Sequence, residues 1–231
     1  AVALDEAKAN TITEALANPK KKEIYLRFMD KSQVAMAGHW DKANNYVRGI
    51  EDYLLTEQYH RPEHQNKVVE DILDNWTQYS QNNKFHGIFA TSSILEAIEY
   101  YRLFKKLKPE LKITALFDPN IDNNENAKFK EDGLVEIIGD YNNRYGMKFS
   151  LATHAKMKRD IADRLAHKEL YKRVEHTPEK QLELLIVVDQ MLTGFDSKWV
   201  NTLYLDKMLE YANLIQAFSR TNRLFGKDKP F

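Results

Sequence analysis

Two closely spaced arginines near the end of the chain are the residues best suited to chemistry. They lie in the sequence QAFSRTNR at residues 216–223. On a helix, Gln216, Arg220 and Arg223 project within about 60° of one another. Two permanently charged guanidinium groups on one face can stabilise the charge that builds on a γ-phosphate during its transfer. The spacing is compatible with a catalytic role for both arginines, but this segment taken alone fits an ordinary amphipathic helix with solvent-exposed arginines better.

A loop upstream carries residues that suit a nucleotide. Thr193, Gly194 and Asp196 follow the apolar run LLIVV at residues 184–188, and ligands of open α/β sheets bind beyond the carboxyl ends of strands. Gly194 permits close backbone approach, Thr193 offers a hydroxyl to a phosphate, and Asp196 can accept a hydrogen bond from a ribose hydroxyl. A simple glycine-containing turn is the alternative.

A second loop, ATSS at residues 90–93, follows one apolar run and precedes a helical pattern. Backbone N–H groups and hydroxyls at the start of a helix bind phosphate well. Thr91 and Ser92 are therefore candidate phosphate ligands. A plain helix N-cap remains the alternative for this loop.

The elements that position these loops fall into two regions. Residues 1–82 contain very little glycine, and their apolar residues recur at intervals of three and four positions. This periodicity predicts three or four helices in the region. From about residue 84, β-rich runs alternate with amphipathic stretches, as in βαβ units around a parallel sheet. We therefore predict an α/β fold with a helical connector over residues 1–82 and a second domain over 83–231. Strands are expected at 85–90, 113–117, 184–188 and 203–205, and helices at 93–107, 127–145, 154–170 and from 211.

Composition limits the function classes. The 231 residues include 34 Lys plus Arg and 34 Asp plus Glu, so any DNA contact must be local. The absence of cysteine excludes disulfides and suits a reducing cytosol, and no apolar run is long enough for a bilayer. We expect a cytoplasmic protein, and we expect the chain to be a fragment because it lacks an initiator Met.

The order of these segments resembles a known family. The ATSS loop, LLIVVDQMLTGFD at 184–196, NTLYLDK at 201–207 and LIQAFSRTNR at 214–223 look like motifs IV, V and VI of superfamily 2 helicases. The last two motifs are similar to those of the motor (R) subunit of type I restriction enzymes. The similarity covers about residues 84–229. Tyr211 and Ala212 depart from the His and Gly that many relatives carry.

The resemblance implies roles for individual residues. Arg220 and Arg223 match the arginines that reach ATP phosphates across the motor cleft. The nucleotide-binding positions that it implies are Gln216, Gly194 and Asp196, and the DNA-binding positions are Thr91, Ser92 and Thr193.

The resemblance also implies a RecA-like second motor lobe, which couples ATP hydrolysis to movement along double-stranded DNA before cleavage. The chain has no GxxxxGK[ST] phosphate-binding loop. ATP and Mg²⁺ are therefore expected to bind mainly to a first motor lobe of the same polypeptide. The resemblance also implies modification and specificity subunits as partners. The sequence shows no group of residues typical of a nuclease active site. We also expect no metal site, because Pro62 disfavours zinc binding by the HRPEH sequence at residues 60–64. The alternatives are a freestanding α/β nucleotide-binding module and a helical protein-interaction module.

Overall fold

The computed structural model describes residues 2–30, 34–54, 59–118, 126–188 and 197–207. The chain divides into two compact units, Ala1–Arg61 and Pro62–Phe231. No helix of the described segments is long and apolar enough to cross a membrane.

The first unit is helical with a small hairpin. Its elements are α1 (Val2–Glu6), α2 (Ile12–Ala17), α3 (Pro19–Met29), β1 (His39–Trp40) and β2 (Tyr46–Val47), followed by a 3-10 turn at Glu51–Tyr53. The side chain of Thr11 caps α2, and Asn18 caps α3, which has proline at its first position. The buried cluster of this unit consists of small side chains, namely Ala7, Ala9 and Ala15.

The hairpin was not predicted, since only helices were expected in this region. Strands β1 and β2 pair antiparallel, with His39 opposite Val47. Asp41 closes the turn because its Oδ1 accepts hydrogen bonds from the N–H groups of Ala43 and Asn45, both at 2.8 Å. This is the local side-chain to backbone bonding by which aspartate favours turns over helices.

The second unit contains a four-stranded parallel sheet flanked by helices. Its elements are α4 (Pro62–Tyr79), β3 (His86–Thr91), α5 (Ile94–Leu107), β4 (Ile113–Leu116), α6 (Ala127–Tyr145), α7 (His154–Ala166), β5 (Leu184–Val187) and β6 (Val200–Asp206). The strand order is β4-β5-β3-β6, and each pair is parallel. The predicted α/β class, with a parallel sheet between helices, is confirmed.

Burial explains why the central strands read as continuous apolar runs. Every residue of β3, β4 and β5 is buried, as expected where helices cover both faces of a parallel sheet. The strand predicted at 203–205 is longer and spans Val200–Asp206. The helix predicted at 154–170 ends earlier, because His167 adopts the left-handed conformation at φ 51°.

Helix α4 packs against the sheet although it precedes the predicted domain boundary at residue 82. Its residues Val69, Ile72 and Trp76 belong to the main hydrophobic cluster of the second unit. Their spacing of three and four places them on one face of the helix. The functional division into a connector and a motor domain remains a prediction.

Candidate functional site

The carboxyl ends of three neighbouring strands define the candidate site. Strand β3 lies between β5 and β6, and all three run in the same direction. The register places Ala90 beside Val187 and Thr91 beside Asp206. The segments that follow β3, β5 and β6 therefore begin side by side at one edge of the sheet, where α/β proteins bind ligands.

Most of the predicted site residues lie outside the described residues. These are Thr193, Gly194, Asp196, Gln216, Arg220 and Arg223. The structure does describe the residues from which both segments depart, Val188 after β5 and Lys207 after β6. The Nζ of Lys207 donates a hydrogen bond to the backbone oxygen of Val188 at 3.4 Å. This contact joins the two points of departure across the end of β3.

Thr91 is at the predicted edge, but its side chain is fully buried. Its hydroxyl lies 3.3 Å from the backbone oxygens of both Ser93 and Val187. In this arrangement the hydroxyl ties β3 to β5 and does not face solvent. Its role in DNA binding remains a prediction, and the geometry gives it a clear structural task.

Ser92 is exposed at the same edge, and an internal carboxylate already contacts it. Its N–H donates to Oε2 of Glu96 at 3.1 Å, and its hydroxyl donates to the same oxygen. The hydroxyl of Ser93 accepts from the N–H of Glu96 at 3.2 Å and so caps α5. The N-cap alternative thus describes Ser93, and a phosphate at Ser92 would have to compete with Glu96. DNA binding by Ser92 remains a prediction.

Sequence reasoning did not bring together three residues that meet at this edge, His64, Tyr100 and Asp206. Oδ1 of Asp206 lies 2.9 Å from Nε2 of His64, and Oδ2 accepts a hydrogen bond from the hydroxyl of Tyr100. Burial raises the pKa of Tyr100 above its ordinary value, and the hydrogen bond to Asp206 raises that pKa further. The sequence signals were an acidic residue directly after a β-rich run, and a histidine that had been considered only as a zinc ligand.

A groove between α4 and β6 opens beside this cluster. It has a volume of ≈ 500 Å³, and its lining includes His64, Lys67, Tyr204 and Asp206. The hydroxyl of Tyr204 is buried and has no hydrogen-bond partner within the described part of the chain. Burial is the main reason that the pKa of Tyr204 is raised.

The described stretches contain no group of three or more His, Asp or Glu side chains arranged to hold a metal ion. The described residues at this edge offer hydrogen-bond donors, hydrogen-bond acceptors and single charges. Such groups position a ligand or a neighbouring loop.

Comparison with known proteins gives a consistent picture. The family described as type I restriction enzyme subunit R domain 3 matches residues 83–231. The Type I restriction enzyme SauCOLORF180P endonuclease subunit of Staphylococcus aureus (strain COL) is 38% identical over 172 residues, which cover 71% of this chain and 18% of that relative. The Type I restriction enzyme SsaAORF53P endonuclease subunit of Staphylococcus saprophyticus is 37% identical over 173 residues, with the same shares of both chains.

Another relative is less similar in sequence. The Putative type I restriction enzyme MjaIXP endonuclease subunit of Methanocaldococcus jannaschii is 29% identical over 181 residues, which cover 78% of this chain and 14% of the relative. The chain thus spans less than a fifth of the length of these relatives.

Proposed function

This chain belongs to the type I restriction enzyme subunit R domain 3 family, and from that premise we propose that it forms the second lobe of an ATP-driven DNA-translocating motor. The chain would then work as one part of a much longer R subunit, since it spans 18% of its staphylococcal relatives. Those relatives are named as endonuclease subunits. We place DNA cleavage in another part of the polypeptide.

One structural observation carries the proposal. Strands β5, β3 and β6 are adjacent and parallel, so the segments that follow these strands all begin at the same edge of the sheet. In the sequence these segments lead to the TGFD residues, the ATSS loop and the two arginines, respectively. Residues that are about 100 positions apart in sequence can therefore act on one ligand. This supports a nucleotide and a DNA backbone as neighbouring ligands of the edge.

In the mechanism that we propose, ATP and Mg²⁺ are held mainly by a first lobe that carries its own phosphate loop. Closure of the two lobes brings Arg220 and Arg223 to the phosphates, where their charges stabilise the transition state. Gln216, Gly194 and Asp196 contact the nucleotide.

The DNA contacts come from the same edge of the sheet. Ser92, Thr193 and the backbone near Thr91 hold successive phosphates of double-stranded DNA, because donors at loop and helix starts bind phosphate without reading sequence. Alternation between closed and open lobes then moves the motor along the duplex. Modification and specificity subunits would supply the choice of target site.

The test is the substitution Arg223→Ala in the full-length R subunit, assembled with its modification and specificity subunits. We expect DNA-dependent ATP turnover to fall by roughly 10³-fold, as for loss of an arginine finger. The matched control is Arg173→Ala, which removes an exposed arginine from the segment before β5 and should leave turnover unchanged. Near-normal ATP turnover in the Arg223→Ala enzyme would refute the catalytic role.

A further inference from the structure

The first unit exposes large apolar side chains and buries small ones. Ten of the fifteen large apolar side chains that are exposed in the described part of the chain lie in this unit, which holds 61 of the 231 residues. Its buried cluster, by contrast, consists of Ala7, Ala9 and Ala15. This distribution is the reverse of that in a typical globular domain, where large apolar residues form the core.

Two helices of this unit leave apolar positions uncovered. Ile12 and Leu16 are four positions apart on α2 and therefore share a face, and both are exposed. Helix α3 packs against α1 and α2, yet none of its residues is buried. Its residues Leu26 and Met29 are 49% and 61% exposed. Uncovered apolar positions of this kind are typical of helices that pack on a surface outside their own unit.

The hairpin of β1 and β2 presents an aromatic pair from a fixed frame. Trp40 is 65% exposed and Tyr46 is 46% exposed, and their ring centroids lie 5.3 Å apart. The carboxylate of Asp52 accepts hydrogen bonds from the Tyr46 hydroxyl at 3.0 Å and from the N–H of Gly49 at 2.7 Å. A two-stranded hairpin is only marginally stable in water, and Trp and Tyr are residues that anchor protein interfaces. The hairpin is therefore suited to dock onto another protein surface.

The charge of the unit favours a protein over DNA as the partner. Residues 1–61 contain nine Lys plus Arg and nine Asp plus Glu, so the unit has no formal net charge that would attract a phosphate backbone. Two of its cations are already paired, Lys21 with Glu14 and Arg48 with Glu6. Apolar exposure together with balanced charge is typical of permanent protein contacts.

We propose that the first unit packs, through these exposed apolar side chains, on the first motor lobe of the same R subunit. This inference rests on the motor function proposed above. The chain spans 18% of its staphylococcal relatives, so most of such a subunit lies outside the 231 residues. The matched family is described as domain 3 and its match begins at residue 83, so the first unit lies on the amino-terminal side of that domain. A lobe of the same polypeptide is present at high effective concentration and covers the unit without a separate partner.

Hydroxyl-radical footprinting of the full-length R subunit tests this contact. Met29, Met36 and Trp40 are 61%, 59% and 65% exposed, and the oxidation of such side chains depends on their exposure. In the R subunit without DNA or other subunits, each should be oxidised at least about fivefold more slowly than in the 231-residue chain, because side chains at the centre of an interface are almost fully buried. Met157 is fully buried and is the matched control, which should be oxidised slowly in both samples.

A photo-crosslinker identifies the surface that covers the unit. The R subunit with p-benzoylphenylalanine in place of Met36 should crosslink, on illumination, to peptides of the first motor lobe, as identified by mass spectrometry. The control carries the same replacement at Leu170, which is 91% exposed but belongs to the second unit. The control should give no crosslink to the first lobe, and an equal yield from Leu170 would overturn the assignment.

Each outcome has a separate meaning. Equal oxidation rates of the three exposed residues in the 231-residue chain and in the R subunit would overturn the contact. Protection that needs DNA, the other subunits or a high concentration of R subunit would also overturn it, because the occupant would then be DNA, another subunit or a second copy. These results would leave the motor function intact in an enzyme that Arg223→Ala inactivates. Near-normal ATP turnover in Arg223→Ala would instead remove the proposed function on which the inference rests.

Discussion

The buried pair His86 and His167 should make the stability of the second unit depend on pH. Both rings are buried, and their Nε2 atoms lie 2.8 Å apart. At that distance one nitrogen donates and the other accepts, so the contact requires that one Nε2 remain unprotonated. Nδ1 of His167 lies 3.2 Å from Glu175, and its ring stacks on Trp199 at 3.8 Å. One proton more than the neutral pair holds would place a charge in the core.

The direction and size of the effect follow from the pKa values. Burial, and then the neighbouring His167, lowers the pKa of His86 to about 3, and burial lowers the pKa of His167 to about 4. An unfolded histidine has a pKa of about 6.5. Both folded values are lower, so the unfolded chain binds more protons below pH 6.5, and the free energy of unfolding falls as the pH drops toward 4. Two such groups give a slope of up to about 2.7 kcal/mol per pH unit.

The assay is denaturant unfolding of the 231-residue chain between pH 8 and pH 5, a range in which most carboxylates stay ionised. A Trp40→Phe background removes the tryptophan of the first unit, so that fluorescence reports Trp76 and Trp199 of the second. The control variant His167→Gln keeps a hydrogen-bond acceptor for His86 but has no ionisable ring. It should reduce the slope of the free energy of unfolding against pH by the contribution of about one proton. A free energy of unfolding that is flat from pH 7 to pH 5, or an unchanged slope in His167→Gln, would refute this reasoning.

Two further predictions concern packing in the same unit, and both are measured by denaturant unfolding at pH 7.5. In α6, a Cβ at Gly133 would lie 2.6 Å from Ile98 Cδ1, whereas nothing lies within 4 Å of a Cβ at Gly139. Gly133→Ala should therefore lower the free energy of unfolding by about 1–3 kcal/mol, because the added methyl group overpacks the core. Gly139→Ala should raise it by about 0.5–1 kcal/mol, because alanine favours the helix more than glycine does. A change in the free energy of unfolding with the same sign in both variants would contradict this account. Arg164 is 3% exposed and its Nε donates to Asp160 at 2.9 Å. Arg164→Met should therefore cost about 3–5 kcal/mol, because it leaves the Asp160 carboxylate, which is only 12% exposed, without its cation. Adding Asp160→Asn should recover part of that loss, and strict additivity would argue against a coupled pair.

Much of the architecture could be predicted from local patterns. The apolar runs at 85–90, 113–117 and 184–188 correspond to β3, β4 and β5, and the helix predicted at 127–145 has those limits in the structure. These predictions succeed because side-chain periodicity and continuous apolar runs reflect burial along a single element. The hairpin at β1 and β2 was missed because its strands are two residues long, which is too short for a period to appear.

The sequence by itself determined the parallel α/β class and the order of the loops along the chain, since both follow from short-range patterns and strand order in sequence. Only the tertiary structure decided which side chains meet. Asp206 contacts His64, which is 142 positions away, and the carboxylate of Glu96 contacts the N–H that had been predicted to bind phosphate. Such pairings depend on how helices pack across the sheet, and a one-dimensional pattern contains no information on that packing.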